Sequence, residues 1–187
     1  MATKTFSRQV CGRFAILLSY PGENLVKEAR SCAALLGDSH PAFASVERFA
    51  TYAERAKPSR MEEIYTATFD LQPLCYPYVG YQLFGEGQQR TLFLIQLQAF
   101  YRRHGFTAGP ELPDHLAEIL RFLAGCRDDE LSGEMIIDGL LPALDKLLSG
   151  FDPADHPYRE LLSALQAFLT QETSATGVCS PPAEVTS

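Results

Sequence analysis

A chain of 187 residues, 46% of them apolar, can bury roughly 70% of its unfolded surface, so a single domain can hold a core without staples. Its 23 acidic against 16 basic side chains give a formal charge of −7, which argues against a nucleic-acid or anionic-membrane binder and suits a basic partner. The five cysteines, Cys11, Cys32, Cys75, Cys126 and Cys179, are odd in number and widely spaced, with no CxxC pair. That spacing points away from a disulfide framework or a zinc cluster and toward a reducing compartment.

Helical spacing recurs along the chain, and strand-like alternation does not. Phe6, Val10, Phe14, Leu17 and Leu18 form a first stripe, ended by the turn Tyr20-Pro21-Gly22. A second helix is predicted over Leu25 to Leu36, closed by Gly37. Pro41 opens a third, carrying Phe43, Val46, Phe49, Ala50 and Ala53, and Pro58 ends it. Ser59 and Glu62 have the spacing of a capping box, S-x-x-E, for a helix running to about Phe69. A short element from Leu74 to Phe84 leads to Gly85-Glu86-Gly87. Gln88 to His104 follows, apolar almost all round through Leu92 to Tyr101, the pattern of a central buried helix. After a loop, Pro113 opens a helix with Leu116, Ile119, Leu120 and Leu123 on one face. Glu130 to Leu148 is predicted helical with a kink near Pro142. The last stripe is Tyr158, Leu161, Leu162, Leu165, Phe168 and Leu169. The expected architecture is an all-α bundle of roughly seven to nine helices over residues 1–170, with a disordered tail over 171–187.

The N-terminal MATKTFSRQV has no signal-peptide core, and no apolar run approaches the ~20 residues of a spanning helix, so a cytoplasmic protein is expected. Chemistry is hard to find. His40, His104 and His156 sit at turns or helix ends, His115 is expected exposed in a first turn, and none pairs at metal-ligand spacing. Gly85-Glu86-Gly87 lacks the strand before it and the GK[ST] after it that a phosphate loop needs. There is no GxSxG elbow. No metal, cofactor or catalytic residue is therefore expected. Glu63 and Asp70, seven apart, share one helix face, while Met61, Tyr65 and Phe69 take another. Asp70 caps a following helix that holds Pro73, or contacts a cationic partner, or does both.

Glu63 to Asp70, EIYTATFD, resembles the Y-x-x-T-F-D signature of the nitrate reductase molybdenum-cofactor assembly chaperones, the NarJ-like branch of the TorD-like redox enzyme maturation proteins. Tyr81 to Arg90, the Leu97/Tyr101/Gly105 spacing, and the ELPDHL of Glu111 to Leu116 are similar to that family in the same order, and the likeness covers about Phe6 to Leu169. The resemblance implies a TorD-like all-helical fold and a chaperone, not an enzyme. Its partner would be the catalytic subunit of a molybdenum-containing reductase or dehydrogenase, bound through its N-terminal or signal peptide. The client would be held until its molybdenum cofactor is inserted, before membrane attachment or twin-arginine export. A monomer or weak homodimer is expected.

The partner-binding set expected from these motifs is Glu63, Tyr65, Phe69, Asp70, Tyr81, Glu86, Glu111, Pro113, Asp114 and His115. For a basic amphipathic peptide, Glu63, Asp70, Glu86, Glu111 and Asp114 could supply an acidic rim, and Tyr65, Phe69 and Tyr81, with Tyr76 and Tyr78 from outside the set, an apolar groove. The competing assignment for Tyr65 and Phe69 is core. Two other functions stay open: a permanent structural subunit of a redox complex, and a small helical enzyme acting on a nucleotide or the cofactor.

Overall fold

The computed structural model describes residues 2–71, 75–151 and 156–175. Among these the chain is helical, with no strand and one isolated bridge between Tyr78 and His115. The elements are α1 (Ala2–Leu17), α2 (Leu25–Leu36), α3 (Phe43–Arg55), α4 (Pro58–Tyr65), α5 (Val79–Phe84), α6 (Gln88–Arg103), α7 (Leu116–Gly125), α8 (Asp129–Glu134), α9 (Leu141–Ser149) and α10 (Pro157–Ala175). A π turn, Met135–Leu140, joins α8 to α9 as one rod, so the ten segments make nine rods among the described residues, the upper end of the expected range.

The core forms where the predicted stripes meet. Val10, Phe14 and Leu17 of α1 are buried, as is Leu18 just after it; α1 packs on α2 and α7, and Phe14 stacks on Phe168 of α10 at 5.8 Å between centroids. A Cβ built at Gly12 would rest 3.7 Å from Ala124, an ordinary van der Waals contact between α1 and α7. Tyr158, Leu161, Leu162, Leu165, Phe168 and Leu169 of α10 are all buried, and α10 packs on α3 and α9. The Phe6 side chain lies outside the described residues.

Several boundaries differ from the sequence reading. Helix α3 starts at Phe43, two residues after Pro41, and ends at Arg55, before Pro58. The Ser59–Glu62 capping box does not form, because Pro58 is itself the first helical residue and Lys57 occupies the cap. Proline suits that position, having no N–H to leave unpaired. Helix α4 continues through a π turn, Thr66–Asp70, so the helix does reach Phe69. Within it Thr68 Oγ1 donates to the Ile64 carbonyl at 2.6 Å. The second π turn ends at Leu140, two residues before Pro142, which cannot donate to Asp138. Helix α10 runs to Ala175, past the expected end, and residues 176–187 lie outside the described residues.

The largest departure is α6. It was expected at the centre, yet only Leu97 and Tyr101 are buried, and Leu92 and Ile95 are 53% and 58% exposed. It packs mainly on α5 and lies at the surface.

Candidate functional site

The ELPDHL segment is a knot of backbone contacts. Val79 N–H donates to the Asp114 carbonyl at 2.8 Å, Leu116 N–H to the Pro77 carbonyl at 2.7 Å, and Tyr101 OH to the Pro113 carbonyl at 3.0 Å. These bonds tie the start of α5, the end of α6 and the start of α7 together. Pro113 lies in the turn before α7 and does not open it; the cap is His115, whose Nδ1 accepts from Ala117 N–H at 3.2 Å. His115 is thus buried, not exposed. Burial lowers its pKa against the pull of Glu111, Glu118, Asp114 and Asp70, which keeps the imidazole neutral and its Nδ1 an acceptor.

Asp114 has no exposed surface. Its carboxylate accepts from Arg90 Nε at 3.1 Å and from Nη2 at 3.5 Å. The guanidinium carbon lies 5.3 Å from the Tyr78 ring centroid and 5.7 Å from that of Tyr81. Tyr81 also contacts Tyr76, at 5.3 Å between ring centroids. Tyr78 stands edge-on to His115, and its phenol donates to Glu111 Oε2 at 3.3 Å. Burial first, then the charges of Glu111, Asp114 and Asp70, push that phenol up to about 12. Asp70 and Glu111 are exposed, and Asp70 forms no hydrogen bond or ion pair among the described residues. Pro73, the expected partner of an Asp70 cap, lies outside them.

The structure therefore gathers Asp70, Tyr78, Tyr81, Glu111, Pro113, Asp114 and His115, and leaves others elsewhere. Glu63 is exposed on α4 and pairs with Arg60 at 3.0 Å. Glu86 is exposed between Gly85 and Gly87. Tyr65 and Phe69 do not line a groove. They are 6% and 1% exposed and pack edge-on to Tyr158 of α10 at 5.6 and 5.1 Å, while Tyr65 OH donates to the Leu18 carbonyl. The apolar stripe of α4 is core. Nor does Asp114 belong to an open rim, since Arg90 covers it.

The apolar groove lies on the other side of α5. It encloses about 700 Å³ between α5, α6 and the π turn before α9, and is walled by Leu83, Phe84, Phe93, Ile95, Phe100 and Met135, with Arg103, Glu134 and Asp138 also lining it. Groove and Asp114 recess adjoin at Gly80: a Cβ there would stand 2.7 Å from Phe93 Cδ1 and 2.8 Å from Asp114 Oδ2. Only glycine fits between them. Sequence reading missed this groove and Arg90, although an all-round apolar α6 with few partners was the available signal. A second concavity, about 680 Å³ on α3 and α4, is basic, with Arg48, Arg55 and Arg60 around the exposed Tyr52. It contains none of the motif residues.

Nucleophiles are absent from the groove wall. Cys11 and Cys32 are buried, and burial raises both thiols to about 12. Among the described residues no group of three or more His, Cys, Asp or Glu converges, and no helix is long and apolar enough to cross a membrane.

The family model described as the nitrate reductase delta subunit matches residues 38–175, more than half of the chain. Solved structures with this fold include a candidate redox enzyme maturation protein from Archaeoglobus fulgidus. It is 20% identical, and the alignment covers 87% of this chain and 93% of that one with a TM-score of 0.63. At that identity the likeness is one of fold. No match was found among curated proteins.

Proposed function

Since the chain belongs to the nitrate reductase delta subunit family, of the NarJ-like redox enzyme maturation proteins, we propose that it is a cytoplasmic assembly chaperone for a molybdenum-containing reductase. It binds the N-terminal segment of the catalytic subunit and holds that subunit for molybdenum-cofactor insertion, before membrane attachment or twin-arginine export. The observation that carries this reading is the junction at Gly80, where an acidic, tyrosine-lined recess runs into an apolar groove. A segment that begins with basic residues and continues as an apolar helix matches both halves in order. Each leucine-sized side chain seated in the groove would contribute about 1.5–3 kcal/mol before ordering costs. The exposed carboxylates of Asp70 and Glu111 would attract the basic end, a contribution that salt screens over about 8 Å at physiological strength.

Isothermal titration calorimetry with a synthetic peptide of the client's N-terminal segment tests this. One-to-one binding that weakens as salt rises is expected. Absence of binding, or binding that groove substitutions such as Phe93→Asp leave unchanged, would count against it. The description of the family as a subunit favours one alternative, permanent membership of the finished enzyme. Such a subunit would copurify in fixed stoichiometry with the mature complex, and a chaperone would not.

A further inference from the structure

We infer that the Asp114 recess is an arginine-binding site that the chain fills with its own Arg90, and that a client arginine takes that place on binding. The inference rests on the maturation reading only for the source of the incoming arginine. The recess has the chemistry of a guanidinium receptor. A fully buried carboxylate offers two oxygens to the Nε–Nη2 edge, and the Tyr78 and Tyr81 rings lie 5.3 and 5.7 Å from the guanidinium carbon. A planar fork that stacks on aromatic rings is what arginine presents and lysine does not. Arg90 is the one cation within ion-pairing distance of Asp114 among the described residues, so its departure leaves a buried carboxylate that another cation can satisfy.

Arg90 is placed to leave. Its side chain keeps 17% of its surface exposed, so one edge already meets solvent. It occupies the first turn of α6, where a cation opposes the helix dipole by about 0.3–1 kcal/mol. Just before it, Gly85 and Gly87 have φ of 69° and 150°, and a Cβ built at either would meet nothing within 4 Å, so the two form an uncrowded joint. The buried anchors of α6, Leu97 and Tyr101, lie in its second half. The N-terminal turn can therefore swing at the joint while the helix stays attached. Departure of Arg90 leaves the recess open beside the groove at Gly80, so one peptide can place an arginine in the recess and its apolar residues in the groove.

The test uses Arg90→Ala and Arg90→Met in the full chain; the methionine keeps an apolar stem if alanine fails to fold. Thermal melts are recorded with N-acetyl-arginine amide, and with N-acetyl-lysine amide at equal ionic strength. The arginine probe should raise the melting temperature of the variants in a saturable way, the lysine probe should not, and the wild type should respond to neither. Equal responses to both probes, or an arginine response as large in the wild type, would overturn the proposal. The client N-terminal peptide is then titrated. If the recess is vacant in one wild-type molecule in ten, the Arg90→Met protein should bind about tenfold tighter. Equal affinity overturns the inference and leaves the chaperone reading intact. Rescue by the arginine probe without any binding of the client peptide supports the recess and counts against that reading.

Discussion

Gly80→Ala adds one methyl group to the wall between recess and groove. Its Cβ would stand 2.7 Å from Phe93 Cδ1 and 2.8 Å from Asp114 Oδ2, where favourable contacts begin near about 3.5 Å. Neighbours must give by roughly 0.7 Å on that scale. Phe93 is half-buried and can tilt into the groove. Asp114 has less freedom: its carboxylate is held by Arg90 and its carbonyl by Val79, the residue next to the substitution. Overpacking of this kind costs about 1–3 kcal/mol. Against it stands the helix preference of alanine over glycine, about 0.5–1 kcal/mol, which applies because Gly80 has no positive φ. At mid-range values the clash wins by about 1 kcal/mol, and in a chain of this size each kcal/mol moves the melting temperature by about 2–4 °C. Calorimetry should therefore show a fall of about 2–4 °C. Gly139→Ala, where nothing lies within 4 Å, is the control and should melt no lower than the wild type. A Gly80→Ala protein more stable than the wild type would refute the close packing that joins recess to groove.

Other outcomes follow from the same structure. The Tyr158 hydroxyl is buried with no partner among the described residues, so Tyr158→Phe should stabilise the protein by about 1 kcal/mol in urea unfolding; a loss would reveal a bond to that hydroxyl. Burial holds His40, His115 and His156 below the ordinary 6.5, so the unfolded chain binds protons that the folded one does not. Stability should be flat only between about pH 7.5 and 8, fall at higher pH as unfolded thiols ionise while the buried Cys11 and Cys32 do not, and fall as pH drops through 6.5 toward the lowered folded histidine values; His115→Asn, which retains a capping side chain, should flatten part of that acid-side fall. Asp70→Asn should leave the melting temperature unchanged while weakening binding of the client peptide, measured by calorimetry, because the exposed carboxylate has no partner to lose among the described residues.

The stripes of α1, α2, α3, α7 and α10 were legible because each buries one face against neighbours, and the 3.6-residue period records that burial. Helix α6 misled for the same reason: an apolar surface all round marks a helix enclosed on every side, or one whose exposed side awaits a partner, and periodicity does not distinguish these. The ELPDHL motif was legible as a pattern, but its roles are set by tertiary contacts. Asp114 meets Arg90, 24 residues away, and His115 turns inward to cap α7. The Ser59 capping box failed because Pro58 already supplied a good first residue for α4. Asp70 and Glu111 come from motifs forty residues apart, and only the folded chain brings both charges to bear on Tyr78.

Hydrogen exchange read by mass spectrometry tests the central claim most directly, with and without the N-terminal peptide of the client's catalytic subunit. Binding in the groove and recess should slow exchange in α5, in α6 and in the 111–116 segment, and leave the basic concavity of α3 and α4 unchanged. Protection confined to α3 and α4, with α5 and α6 exchanging as in the free protein, would contradict the account.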